Sequence, residues 1–448
     1  MKLGAVTFTD PPMVTTVVFH VQCSGVITAV QVAYTADGDR GITPRTRVSS
    51  CPVDVALVGL LPSTRYRTLV TAWGEDGVVR AARGPVLSTQ ALPPGLPSVT
   101  THGTASNGVT ALSVETPKAS YALVLDSLGR IRWYLADSTH FVLDFEPQPN
   151  HHYTISTVSS IDAPRYTELD ILGDPVRRWT VSAGQSTDLH DFTFTPRGTG
   201  LMLGLRSITM DLTAYGGSPT AQVVGNVLQE VDTAGRVLFT WDAFDHFSIT
   251  DIDPSLQLTS PRIDWTHANA TEIDFDGNYL VSVRHFSEIT KIDSRTGSVI
   301  WRWGGLNNQF KFIGDTLKFA FQHGIVRLAR GNYILFDNGN THKPQFSRAV
   351  EYRLDQSGKT ATLVWSYRPS PDIFSGFFGF AQRLPNGNTL VTFGPQGIVH
   401  EVSPSSQLLW TLTLPPGAFV YRAYRMLSLY SPEAISDSSA QRVLVSNR

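Results

Sequence analysis

Three histidines in this 448-residue chain stand at a repeated distance from a glycine, and an arginine follows one of those glycines. His190 lies eight residues before Gly198 and His323 eight before Gly331, while His267 lies ten before Gly277 and Arg284 seven after it. If each glycine closes a hairpin, the imidazoles occupy the same end of equivalent strands, and the chain returning from Gly277 brings Arg284 beside His267. A buried group of imidazoles and a guanidinium is costly without an anion. The pattern therefore predicts a site for a tetrahedral oxyanion, a sulfuryl or phosphoryl group, whose oxygens such donors can surround. Gly379, eight residues before Gly387, takes the same register and reads as an opening. The other nine histidines, His20, His102, His140, His151, His152, His246, His285, His342 and His400, read as satisfied structural residues.

These side chains need a repeating frame, and the sequence contains one. Six tryptophans, Trp133, Trp179, Trp241, Trp301, Trp365 and Trp410, each close a similar apolar phrase at intervals of 46, 62, 60, 64 and 45 residues. Upstream of the last four lies a glycine turn followed by an apolar strand, at Gly198, Gly277, Gly331 and Gly387. Each unit thus reads as a strand, a tight hairpin, a second strand and two outer strands ending at tryptophan. Four antiparallel strands per unit is the period of a β-propeller blade. The fold class predicted is all-β: a β-sandwich over residues 1–94, a six-bladed β-propeller over 95–430 and a tail over 431–448. The sandwich assignment rests on short Val- and Thr-rich runs ending at Leu92-Pro93-Pro94-Gly95. Within them Leu60-x-Pro62-x-Thr64-x-Tyr66 resembles the tyrosine corner of fibronectin type III domains.

Composition removes several partners. With 36 basic against 38 acidic residues there is no surplus of positive charge for nucleic acid or an anionic membrane. Met1 to Pro12 contains no apolar core of an export signal, so the chain reads as cytoplasmic as it stands, or as periplasmic or secreted if already trimmed. Cys23 and Cys51 are the only cysteines, and a disulfide and two buried thiols are both open.

The run Asp264-Trp265-Thr266-His267-Ala268-Asn269, then Ser282-Val283-Arg284-His285-Phe286-Ser287, Lys291-Ile292-Asp293, Trp301-Arg302-Trp303-Gly304-Gly305, Gln322-His323-Gly324, Phe336-Asp337-Asn338-Gly339 and Ser347-Arg348-Ala349-Val350-Glu351-Tyr352 resembles, in order, the motifs of the PAPS-independent arylsulfate sulfotransferases. The likeness spans residues 185 to 430. It implies a six-bladed propeller behind a small sandwich, moving a sulfuryl group from a phenolic sulfate ester to a phenolic acceptor by a ping-pong route through a sulfohistidine. By position, His323 matches the histidine that becomes sulfated, and His190, His267 and Arg284 match the residues that hold the sulfuryl oxygens. Asn269 lies in the same motif as a helper. The family's export signal is missing, and both cysteines fall in the sandwich, away from the nucleophile.

The residue chemistry agrees with that assignment. Neutral imidazole is a competent nucleophile, a phenolate leaves readily, and a covalent intermediate divides one transfer into two displacements. Gly324 leaves room for in-line approach to His323, and mildly acidic pH is expected to stop the first step by protonating it. Tyr166, Phe377, Phe378 and Phe380 are candidates to stack on the phenolic ring. No cofactor is expected, since no G-x-x-x-x-G-K-[ST] run exists to cradle a nucleotide. No metal is expected either, because Arg284 would repel one and no carboxylate stands in the histidine register. The expected partners are small molecules alone, with a homodimer left open. Two other functions remain: metal-assisted hydrolysis by the three histidines, and a catalytically silent binding scaffold.

Overall fold

A computed structural model describes residues 2–434 of the chain. Among the described residues the protein is all-β, with eight sheets and no helix beyond six three-residue 3-10 turns. No helix is long and apolar enough to cross a membrane.

Two sheets are built before residue 89. One joins Lys2–Thr9, Thr16–Ser24 and Val53–Val58, and the other centres on Ile27–Ala36 paired with Arg65–Gly74. Along Arg65–Gly74 the residues Tyr66, Thr68, Val70 and Ala72 are buried while their neighbours are not, the period-two pattern of a strand with one covered face. That face meets the other sheet, so Val17, Phe19 and Val21 share one core with Val30, Val32 and Val70. The Tyr66 hydroxyl accepts from the Leu61 N–H at 2.8 Å, the bond its motif predicts. Cys23 and Cys51 form a disulfide with Cα atoms 5.5 Å apart. Cys51 is exposed, so the alternative of two buried thiols is set aside.

Six further sheets follow. Their first strands are, in spatial order, Ala423–Ser428, Phe141–Pro147, Ser186–Phe194, Ala268–Ile273, His323–Arg327 and Phe380–Arg383, each beside the next and the last beside the first. Ala423–Ser428 pairs with Val109–Glu115, and Thr100–Gly103 pairs with Leu408–Thr413, so the start and the close of this region are each tied into a sheet formed by the other. All six marker tryptophans lie on the fourth strand of their sheets. Strands inside the sheets, such as Ser120–Leu125, Tyr279–Val283 and Thr389–Phe393, are buried at every position. Neighbouring sheets cover both of their faces, which is why they read as mostly apolar runs and not as strict alternation.

Gly198, Gly277, Gly331 and Gly387 all turn from first to second strand with φ of +74°, +81°, +75° and +85°. In the sheet that begins at Phe141, His151 holds that conformation with φ +65°, so its hairpin carries no glycine signal. The unequal tryptophan intervals have a local cause. Residues 243–264 insert two 3-10 turns and a strand, Arg262–Asp264, that runs parallel to Ala221–Val231. A second insertion adds Lys311–Ile313 parallel to Thr360–Tyr367.

Candidate active site

The first strands that carry or directly follow a candidate histidine break their pairing near it. The register shifts between Thr187 and Phe192, between Ala268 and Ala270, and between His323 and Val326. Such bulges re-aim side chains at a strand end. The backbone beside them is strained as well. His267, Phe321 and Phe378 have φ of +46°, +54° and +57°, a region that L-residues with bulky side chains avoid unless the surroundings enforce it.

His190 and His267 lie together, ring centroids 5.0 Å apart. The His190 Nδ1 meets Asp188 Oδ1 at 2.5 Å, and the His267 Nδ1 meets Asp264 Oδ2 at 2.5 Å. Burial pushes the His190 pKa down, but the Asp188 carboxylate outweighs it and the net shift is upward. For His267 burial wins over Asp264, helped by repulsion from His190, and its pKa is lowered.

His323 is built differently. Its ring is 1% exposed, and its Nδ1 meets Asn338 Oδ1 at 2.8 Å. The Asn338 amide donates to Ser375 O at 2.6 Å and Phe378 O at 2.8 Å, so its oxygen must face the imidazole and accept the Nδ1 proton. The Phe378 N–H then donates to the unprotonated Nε2 at 3.2 Å. Burial, reinforced by Arg284, holds His323 well below the usual histidine range. The expectation that mildly acidic pH protonates this ring is therefore corrected.

Arg284 is where the sequence placed it. Its backbone N–H donates to His267 O at 3.2 Å, and its Nη2 donates to Gly376 O at 2.9 Å, on the loop that also carries Phe378. Burial lowers its pKa to about 10, which leaves it cationic at neutral pH. Its Nε has no partner, and among the described residues it makes no ion pair with a carboxylate. The Asp264 carboxylate opposes that shift and the Phe321 ring lies 5.1 Å from the guanidinium, but among the described residues no carboxylate reaches it within ion-pair distance.

Several sequence expectations are corrected. Carboxylates do stand beside the histidines: Asp188 and Asp264 precede His190 and His267 by two and three residues. His285, read as a satisfied structural residue, is buried and hydrogen-bonded, and its ring also lies 4.6 Å from His267. Its Nδ1 bonds Asp264 O at 2.6 Å, and burial lowers its pKa to about 4. Tyr166 is wholly buried with its ring 5.3 Å from Phe192, and Phe380 is buried 5.1 Å from Tyr424, so neither presents a face to a substrate. Phe378, half-buried and 6.5 Å from His323, does reach the site. Gly379 is no opening, since a Cβ there would meet the Phe336 ring at 2.4 Å. A Cβ on Gly324 would lie 3.0 Å from Phe380, so that glycine serves a φ of +69° and a close ring contact, not an approach path. Asn269 sits behind the site, its Nδ2 donating to Gln322 O at 2.8 Å.

Two residues were missed altogether. The Tyr421 ring lies 5.9 Å from His190 and 6.4 Å from His323, while its hydroxyl donates to His190 O at 2.9 Å. Arg422 donates to Asn269 O at 2.7 Å and pairs with Asp191. Both come from the closing segment, which has no glycine turn to set a register.

The arylsulfotransferase (ASST) family model matches residues 97–413, which include every residue of the site except the closing segment. The chain belongs to this family. It is 22% identical over 361 residues to the arylsulfate sulfotransferase AssT of Escherichia coli, covering 63% of this chain and 58% of that protein. The chain thus spans less than two thirds of that relative's length. A protein of unknown function from Bacteroides caccae aligns in structure at 12% identity and a TM-score of 0.46, over 71% of this chain and 98% of its own. A catalytically inactive virginiamycin B lyase from Staphylococcus aureus aligns at 8% identity and 0.37, over 69% of this chain and 86% of its own.

Proposed function

We propose that this family member moves a sulfuryl group from a phenolic sulfate ester to a phenolic acceptor through a sulfohistidine on His323, without a nucleotide donor. The observation that carries the reading is the pair of unlike groups at its centre. One is a buried neutral imidazole whose Nδ1 proton is held by Asn338, and the other is a buried guanidinium, Arg284, with no carboxylate in direct contact among the described residues. In the first step the Phe378 N–H releases His323 Nε2, whose lone pair attacks sulfur, the S–O bond to the ring breaks, and the electron pair leaves on the phenolate. Arg284 offers its free donors to the sulfuryl oxygens, and His267, neutral with its Nδ1 proton held by Asp264, lines the site beside His190. The raised pKa of His190 suits it to hand a proton to the departing phenolate, with Asp188 stabilising the charged ring. A second phenol then returns its proton to His190 and attacks sulfur, which frees His323.

The architecture that fits this reading is a six-bladed propeller over residues 95–430, supported by the cyclic order of the six first strands. A fibronectin III-like sandwich over 1–94 precedes it, supported by the Tyr66 corner. The tail at 431–448 lies outside the described residues beyond Ala434. The disulfide favours an oxidising compartment over a reducing cytosol. Intact mass after incubation with an activated aryl sulfate tests the function. A gain of one sulfuryl group that His323→Asn removes is expected, and an unmodified wild-type chain would overturn it.

One observation favours a second reading. Asp264, His267 and His285 each offer a ligand atom, all within 4.8 Å of one another, so a metal-assisted hydrolase would use these residues and not the three histidines in register. Phenol release that needs no acceptor, ends on chelation and returns with Zn²⁺ would select it.

A further inference from the structure

We infer that the aryl subsite is a cleft beside His190 and His267, and that it takes a single-ring phenol carrying an acidic substituent read by Arg262. This inference rests on the sulfuryl-transfer reading for the chemistry at His323, but not for the cleft. A cavity of about 370 Å³ opens against the two histidines. That is the small end of the range for ligand sites, a size for one ring and not for a fused system.

Its walls are aliphatic. Leu143, Pro164, Leu205 and Val224 line it, so a ring placed there is held by removal of apolar surface from water and not by stacking. Phe378 lies by His323, and no aromatic residue other than the histidines lines the cleft. Two carboxylates border the cavity, but Asp188 and Asp264 are each engaged by an imidazole Nδ1 at 2.5 Å. The remaining charge is Arg262, on the inserted strand Arg262–Asp264. Arg262 is exposed, and no ion pair, side-chain hydrogen bond or ring contact engages its guanidinium among the described residues. A dry wall with one free guanidinium at the rim is complementary to a ring with a carboxylate at one end and a hydroxyl at the other. In that orientation the hydroxyl meets the histidines.

Binding to the full chain can be measured by calorimetry with two probes, 4-hydroxybenzoate and its methyl ester. The wild type is expected to favour the acid by about two- to fivefold, the scale of one exposed charge-assisted contact. Arg262→Ala should erase the preference and Arg262→Glu invert it, and neither touches the core. Leu205→Trp fills the cleft and should weaken both probes alike. Equal binding of acid and ester by the wild type, or a preference that survives both Arg262 variants, overturns the inference, as does failure of the wild type to bind either probe. The mass gain on His323 is read separately. A chain that discriminates through Arg262 but gains no sulfuryl mass keeps the cleft and loses the transferase reading. A chain that gains mass but ignores Arg262 does the reverse.

Discussion

His190 and His323 occupy equivalent positions in their sheets, each eight residues before its turn glycine, and each presents Nδ1 to a side-chain oxygen. The oxygens differ. Asp188 is a carboxylate and favours the protonated ring, whereas Asn338 is a neutral amide, anchored by two carbonyls, that accepts one proton and offers no charge in return. On the proposed chemistry, the same side chain in the same register serves as a proton carrier in one sheet and a neutral nucleophile in another. Backbone position delivers the ring to the site; the atom behind it assigns the chemistry.

The sharpest way to break this contrast is to exchange the rings' fates. His323→Asn should abolish both the mass gain and turnover, while His190→Asn should slow turnover and still permit a sulfated chain. Accumulation of sulfated His323→Asn protein would place the nucleophile in the wrong sheet. Next in size is Arg284→Lys, which keeps the charge but loses the planar fork. Transfer should fall by about 10² to 10³, the effect of removing one preorganised donor, as read by single-turnover phenol release.

Asp188→Asn turns the His190 side toward the His323 type. The expected loss is roughly 10- to 100-fold, the scale for a partner that orients a working imidazole, with the largest deficit for donors whose phenol is a poor leaving group. The reverse exchange, Asn338→Asp, places a carboxylate behind His323 and should raise its pKa by roughly one to three units. Sulfation should then fall on the acid side relative to wild type and recover as the pH is raised. A uniform loss at all pH values would mean that Asn338 only braces the 375–378 loop.

The smallest effect lies in stability. His323 has a folded-state pKa below its unfolded value near 6.5. As pH falls through that value the unfolded chain gains a proton that the folded one refuses, so stability declines toward the folded pKa. His190 has the opposite sign: its contribution is full below about pH 6.5 and is lost as pH rises through its raised folded pKa. Urea midpoints between pH 5.5 and 8 should therefore show His323→Asn flattening the acid decline and His190→Asn flattening the decline at higher pH.

Much of this molecule is legible from residue order alone, because strand period and turn geometry are local. The glycines at 198, 277, 331 and 387 need positive φ wherever they stand, and the tryptophan phrases mark a fourth strand without reference to any partner. That was enough to place His190, His267, His323 and Arg284 at one site and to find the tyrosine corner. Asp188 and Asp264 were within reach as Asp-x-His and Asp-x-x-His spacings, but a regular strand gives no reason to join the second pair; the bulge and the positive φ at His267 do so. Asn338 lies on the far side of a hairpin from His323, and Tyr421 arrives just before the strand Ala423–Ser428 that closes against Val109–Glu115. Contacts of that range, like the filled space at Gly379 and the burial of Tyr166 and Phe380, depend on how sheets pack against one another. No spacing within a single sheet encodes them.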